Sequence, residues 1–326
     1  MNRPAVSVVI TTMNRSKLVL KAIRSVFSQT FTGFDLHVVD DGSDDDTPQA
    51  VMQVLGGRKD CFYWRHDQRR GLCAARNTGI KKSSGDYIAF LDDDDEWKPD
   101  SLEKRMAAVQ KLTSSEREKL GVVYSGCENH NINKRKIYYS MPRVEGNIAT
   151  NAIRAKWMFT IPSTGLYPRK ALKEIGGFDE SIKSSVDHDL WMALASHGFN
   201  AVPVYEALTV RYSFKRRKSM VNDTIPRIQG VEKFLYKWRP LYENWFGKNG
   251  SLKYIKYYRT KVLGRLAARK MSEGEIRDAW RLLIHITRRN GIALIEHFRL
   301  LLLVMRMCVR EFLPLWVIDL AKGRKD

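Results

Sequence analysis

Four consecutive aspartates, Asp92 to Asp95, follow directly on the apolar run Tyr87-Ile88-Ala89-Phe90-Leu91. The run is short and apolar, preceded by the turn residues Ser83-Ser84-Gly85, and reads as a buried strand. The chain thus delivers four carboxylates to the end of a buried strand. Adjacent carboxylates disfavour one another's ionisation, and a bound cation offsets that repulsion. Hard oxygen ligands on a short turn suit Mg²⁺ or Mn²⁺, ions that commonly also hold substrate phosphates. A solvated acidic loop is the alternative reading. The position at a strand's carboxyl end, closed by Glu96-Trp97 and a helix start at Pro99, favours the metal–phosphate reading.

The residues before this point alternate between strand-like and helix-like stretches. Val6–Ile10 is a first strand, followed from Ser16 by a helical pattern with Leu18, Ala22, Ile23, Val26 and Phe27 at three- and four-residue spacings. Phe34–Val39 and Cys61–Arg65 are further strands, with a helix between them capped by Asp46 or Thr47. Leu72–Ile80 is a short helix and Pro99–Leu112 a longer one. This alternation predicts a mostly parallel sheet with helices on both faces, and ligands at the carboxyl ends of its strands. Thr11–Asn14, Asp40-Asp41 and Asp92–Asp95 all fall at such ends.

The middle of the chain is less regular. Val122–Ser125 reads as a strand, residues 127–142 as a hairpin, Ile161–Tyr167 as extended and Pro168–Ile175 as a short helix. A helix from Ser185 to His197 carries Asp187 and Asp189, and Ala201–Tyr205 and Leu208–Tyr212 read as two strands. Beyond residue 220 strand signals fade, and residues 222–245, 252–270, 273–289 and 291–311 read as helices. The division expected is therefore an α/β domain over residues 1–220 and a basic helical region over residues 221–326.

Charge divides the chain in the same way. Residues 1–210 hold 29 Lys/Arg against 26 Asp/Glu, and residues 211–326 hold 27 against 10. Nearly all of the excess lies in the last third, which points to a polyanionic partner there. Hydrophobic content of 44% supports a packed core. The four cysteines are scattered, without a close pair for zinc or redox chemistry. No secretory signal precedes the first strand, so a reduced, cytoplasmic setting is expected.

The segment Val6-Ser7-Val8-Val9-Ile10-Thr11-Thr12-Met13-Asn14-Arg15 resembles the opening of family 2 glycosyltransferases of the GT-A fold. So do Phe27-Ser28-Gln29-Thr30, Val38-Val39-Asp40-Asp41-Gly42-Ser43 and Gly71-Leu72-Cys73-Ala74-Ala75-Arg76-Asn77-Thr78-Gly79-Ile80. The blocks Gly85–Trp97, Gly176-Gly177-Phe178-Asp179-Glu180 and Asp187-His188-Asp189-Leu190-Trp191 complete an ordered set. The resemblance covers residues 5–212 and extends to members that build bacterial cell-surface glycans. It implies an inverting enzyme that moves sugar from a nucleotide-diphosphate donor, most simply a UDP-sugar, to a hydroxyl of a lipopolysaccharide, O-antigen or capsule type of glycan.

By the same resemblance, Asp92 and Asp94 form the Asp-x-Asp unit that holds Mn²⁺ or Mg²⁺ on the donor diphosphate, with Asp94 the direct ligand. Asp92 and Asp93 support it or touch the donor. Thr11, Asn14, Asp40 and Asp41 fall on the nucleotide side, and Asp187 corresponds to the catalytic base. A plain turn is the competing reading for Asp41-Gly42-Ser43, and helix capping for Asp187 and Asp189. Arg76 suits either the diphosphate or an aspartate of the acidic loop. Trp191 reads as core or as a sugar-stacking wall, and His188 as a surface histidine or a further ligand. The sequence departs from the family pattern at Val186, where Glu is usual, and at Ser213, where His often stands. The cluster Lys215-Arg216-Arg217-Lys218 is a candidate for holding the diphosphate in place of that histidine.

Two other functions compete. A sugar-1-phosphate nucleotidyltransferase carries a glycine-rich phosphate loop after its first strand, and Thr11–Arg15 contains no glycine. A nucleic-acid-binding protein would use the basic region but leave the aspartates unexplained. Residues 292–320 combine apolar runs with Arg299, Arg306 and Arg310 on one helical face. That pattern predicts an in-plane helix at an anionic membrane surface and argues against nucleic acid as the partner.

Overall fold

A computed structural model of the chain describes residues 4–132, 135–154, 161–213 and 223–291. It divides into two compact units, residues 1–217 and 218–326. The helix expected over residues 291–311, the interfacial segment 292–320 and the cluster at residues 215–218 lie outside the described residues.

The first unit opens with β1 (Val6–Thr12), α1 (Ser16–Phe27), β2 (Phe34–Asp40), α2 (Thr47–Leu55), β3 (Cys61–Arg65), α3 (Leu72–Lys82) and β4 (Tyr87–Asp92). It continues with β5 (Asp95–Trp97), α4 (Ser101–Gln110), α5 (Ser114–Glu118), β6 (Leu120–Asn131), β7 (Lys136–Ser140), β8 (Gly146–Asn147) and α6 (Ile148–Arg154). A 3₁₀ turn at Pro162–Thr164 leads into β9 (Gly165–Pro168), α7 (Arg169–Glu174), α8 (Val186–Ser196) and β10 (Asn200–Ser213).

The strands form one sheet in the order β3-β2-β1-β4-β9-β6-β10-β5, with β7 beside β6 and β8 beside β10. β1 runs parallel to β2 and β4, β2 to β3, and β6 to β10. All seven residues of β1 are buried, as a central strand covered on both faces requires. α1 turns Val19, Ala22, Ile23 and Val26 into the core at helical spacing, against Ile10, Leu36 and Leu91 of the sheet. α3 lies closer still to the sheet. A Cβ added at Gly79 would sit 2.3 Å from Cγ1 of the buried Val9. Gly79→Ala is therefore expected to lower stability by about 1–3 kcal/mol through overpacking, read as a lower denaturation midpoint.

The mostly parallel sheet expected from the alternation is present, with three departures. β9 enters between β4 and β6 and runs antiparallel to both. The two strands expected at 201–205 and 208–212 are one strand, β10, whose register against β6 shifts between Val204 and Ala207 and again between Ala207 and Thr209. Such bulges let a bent strand keep pairing, so a break in the apolar pattern need not end it. β5 was not expected. It forms because Trp97 is buried, and its backbone pairs antiparallel with β10, Asp95 opposite Arg211. The hairpin expected over residues 127–142 is the β6–β7 pair.

The second unit is helical. α9 (Thr224–Ser272) is broken at Gly247, where φ is 67°, between the two helices expected there, and α10 (Ile276–Asn290) packs on it. Glu232 accepts from Arg259 and pairs with His285, and Arg259 also donates to Asn290 Oδ1, so one polar network ties α9 to α10. Among the described residues no helix is long and apolar enough to cross a membrane.

Candidate active site

β4 ends at Asp92 and β5 begins at Asp95, so the four aspartates occupy one tight turn rather than a loop. The turn separates them by direction. One carboxylate oxygen each from Asp92, Asp94 and Asp95 lies within 4.8 Å of the others. Asp93 points elsewhere: its Oδ2 accepts from Thr12 Oγ1 at 2.9 Å and its Oδ1 from Arg15 Nη1 at 2.8 Å. Desolvation raises the Asp93 carboxyl to about 6 although Arg15 opposes the shift, and Asp94 adds to it. Asp93 thus anchors the turn to β1 and the loop after it.

Ser163, fully buried in the 3₁₀ turn, holds the other side of the turn. Its hydroxyl donates to Asp95 Oδ2 at 2.7 Å and accepts from the Asp92 N–H at 3.1 Å. Its carbonyl accepts from Trp97 Nε1 and Thr209 Oγ1. Burial, with Asp94 and Asp92 close by, pushes the Asp95 carboxyl well above the usual range. Asp95 Oδ1 is buried without a hydrogen-bond partner among the described residues. A buried carboxylate with one oxygen unsatisfied and two further carboxylates close by is costly. A divalent cation would relieve all three, so the donor set fits one.

Arg76, on α3, is 1% exposed. Its Nη2 donates to Asp92 Oδ1 at 2.7 Å and its Nη1 lies 3.5 Å from Asp187 Oδ1. Phe178 and Phe90 lie against the guanidinium at 5.1 and 6.0 Å. Of the two readings the sequence left open for Arg76, its contacts are those of a link between aspartates. Asp187 stands in the first turn of α8, its side chain 37% exposed. Desolvation raises its pKa, Asp92 adds to the rise and Arg76 opposes it. The residue before α8, Ser185, is held in the left-handed region at φ 67°, a strained start for the helix that presents Asp187.

The groups at the ends of β1 and β2 are arranged differently from expectation. Asp40 accepts from the Ser43 N–H and hydroxyl and from Tyr63 OH, so the turn bond expected of Asp41 is made by Asp40. Asp41 Oδ1 accepts from the Arg70 N–H and pairs with His66 Nδ1, and its Oδ2 accepts from the Gly71 N–H. Both carboxylates are spent inside the chain, bracing the loop that leads into α3. Asn14 is exposed, and its Oδ1 accepts from the Asp44 N–H, joining the loops after β1 and β2. Thr11 is 7% exposed at the end of β1 and lies opposite Asp92 in register. Trp191 is fully buried, edge-on to Tyr124 at 5.2 Å, and is a core residue. His188 is not among the clustered carboxylates.

Sequence reasoning missed Ser163, Thr12 and Arg15, and left Asp95 without a role. Pro162-Ser163-Thr164-Gly165 carried a turn signal, but nothing local to it shows that the turn reaches back to Asp95, 68 positions away.

The model for the family described as Glycosyl transferase family 2 matches residues 7–176. The chain belongs to glycosyl transferase family 2. An uncharacterized glycosyltransferase of Rickettsia typhi is 30% identical to it over 193 residues, which is 58% of this chain and 58% of that protein. The chain thus spans under two thirds of that relative's length. Among solved structures, the mannosyltransferase PcManGT from Pyrobaculum calidifontis, in complex with GDP-Man and Mn²⁺, superposes with a TM-score of 0.56 at 19% identity, covering 95% of this chain and 81% of that one. S. aureus TarS 1–349, in complex with UDP-GlcNAc, gives 0.54 at 17% identity, covering 89% and 93%. At such identities the likeness shows the fold, and that fold is the GT-A arrangement the motifs implied.

Proposed function

We propose that this family 2 member is an inverting glycosyltransferase that uses a nucleotide-diphosphate sugar, a UDP-sugar in the simplest case, and a divalent cation, Mn²⁺ or Mg²⁺. The observation that carries the reading is the set Asp92, Asp94 and Asp95, converged within 4.8 Å and linked through Arg76 to Asp187. Asp92 and Asp94 would hold the cation, with Asp95 as a further ligand that the sequence did not indicate. When bound, such a cation supplies Lewis-acid screening of the departing diphosphate. Support for the donor class comes from the complexes of the two structural neighbours, one with GDP-Man and Mn²⁺ and the other with UDP-GlcNAc.

The chain's own residues do the rest. Asp187 takes the proton from the acceptor hydroxyl as that oxygen bonds to the anomeric carbon. The bond from this carbon to the donor phosphate breaks, its electron pair leaves with the nucleoside diphosphate, and the configuration inverts. Arg76 positions Asp92 and Asp187 relative to one another. Asp93, Thr12 and Arg15 hold the turn in place on one side and Ser163 on the other. Thr11 and Asn14 border the space for the nucleotide, and Asp40 and Asp41 act there by bracing the loops. The acceptor is a hydroxyl of a growing cell-surface glycan, met at an anionic membrane face. That last part rests on the basic helical unit, where residues 223–291 hold 16 Lys/Arg against 6 Asp/Glu.

Thermal unfolding tests the core of the proposal. UDP with Mn²⁺ at about 100 times its dissociation constant should stabilise the protein by about 2.7 kcal/mol. UDP alone should give a much smaller shift, and Asp94→Asn should remove the difference. Equal stabilisation with and without the metal would overturn the metal role.

A further inference from the structure

α10 carries two apolar stripes, and among the described residues packing uses only one. Ala279, Leu282, Leu283 and Ile286 are fully buried. Ile276, Trp280 and Ile284, each four residues from the next, are 51%, 41% and 42% exposed. At 100° per residue these three cover an arc of about 80° beside the buried face, and Arg277, Arg281 and Arg288 fall on the next arc of about 40°. All three arginines are exposed, and Arg281 shares an ion pair with Asp278 at 3.2 Å. The helix stops at Gly291, where φ is 63°, and along its length of about 22 Å the Ile276–Ile284 stripe covers about 12 Å.

We infer that the Ile276–Trp280–Ile284 stripe of α10, with its row of arginines, is a surface that docks on an anionic lipid bilayer, the apolar side chains entering the headgroup boundary and the guanidinium groups meeting lipid phosphates. Charge decides the occupant. This unit carries a net +10 over residues 223–291. A second copy brought to the same face would set arginine against arginine. Nucleic acid would satisfy the arginines but leave two isoleucines in water. An anionic interface satisfies both stripes, with Trp at the depth it favours and each arginine adding about 1 kcal/mol at the surface. This deepens the membrane part of the proposed function and is independent of the transfer chemistry.

The test uses the full chain and sedimentation with vesicles of phosphatidylcholine alone or mixed with phosphatidylglycerol. The wild type should bind the anionic vesicles and not the neutral ones. Ile276→Ser, Trp280→Ser and Ile284→Ser together leave net charge unchanged and should weaken that binding by at least about tenfold, since three interfacial apolar side chains are lost. Trp280→Ser alone is the milder variant and should lose binding in the same direction. Thermal unfolding of each variant reports that it is folded. A wild type that ignores anionic vesicles would overturn the membrane reading altogether. Serine variants that bind as the wild type does would overturn the assignment to α10 and leave the membrane reading standing. A wild-type dimer in sedimentation velocity that the serine variants dissolve would assign the face to self-association and overturn the proposal.

Discussion

Replacing Asp187 by asparagine should slow sugar transfer by about 10²–10⁴-fold, the usual contribution of a positioned general base. Asparagine keeps the shape of the side chain and still accepts from Arg76, but it cannot take the acceptor's proton. UDP–metal binding and the unfolding midpoint should therefore stay near wild type. The pH profile carries a second signature. Desolvation raises the Asp187 carboxyl above its ordinary range, and Asp92 adds to this against the pull of Arg76. A base works only when deprotonated. Activity should accordingly fall as pH drops through a value above that of a free aspartate, and this acid limb should vanish in the residual activity of the variant. Both readouts come from kcat/KM measured against pH. Unchanged turnover in Asp187→Asn would remove this residue from the base role.

The second large effect belongs to Arg76. Its guanidinium is 1% exposed and lies against Asp92 at 2.7 Å and Asp187 at 3.5 Å. Arg76→Leu fills similar space but leaves two neighbouring carboxylates without their cation. The carboxylates left behind are 28% and 37% exposed, so water screens part of the loss and the cost should be about 1–3 kcal/mol, below that of a fully buried pair. The cost should depend on pH in a defined direction. Arg76 opposes the rise of the Asp187 carboxyl, so without it the folded-state pKa of Asp187 climbs further above its unfolded value. Folding then binds protons, and the penalty is fully present above the raised value. It fades as pH falls toward the unfolded one. Urea denaturation at neutral and at mildly acidic pH should thus show a smaller difference from wild type at the lower pH. Arg76→Lys keeps the charge but has no fork to reach both carboxylates, so it should recover only part of the stability and less of the activity. A neutral Arg76→Leu in both assays would mean that the two aspartates are well solvated and need no such link.

Much of this protein is legible in its chain. The apolar runs at 6–10 and 87–91 give β1 and β4 because a central parallel strand is largely apolar on both faces, and Leu36, Val38 and Val39 give β2, whose buried Asp35 and His37 pair with each other. The three- and four-residue spacing from Ser16 gives α1. The acidic run marks the end of β4, which closes at Asp92. The order of these blocks also carries family membership. Such properties belong to residues and their near neighbours, and for that reason a one-dimensional pattern can express them.

The tertiary structure decided the rest. Only folding shows that Asp93 turns away to Thr12 and Arg15 while Asp95 joins Asp92 and Asp94. Only folding spends the carboxylates of Asp40 and Asp41 on Ser43, Tyr63, His66 and the loop before α3, and brings Ser163 under the acidic turn. Each of those choices is made by a partner that packing delivers to a particular side of a particular carboxylate, often from many positions away in the chain. Where four identical side chains stand in a row, identity and spacing cannot tell them apart; the hydrogen bonds and charges that reach each one can.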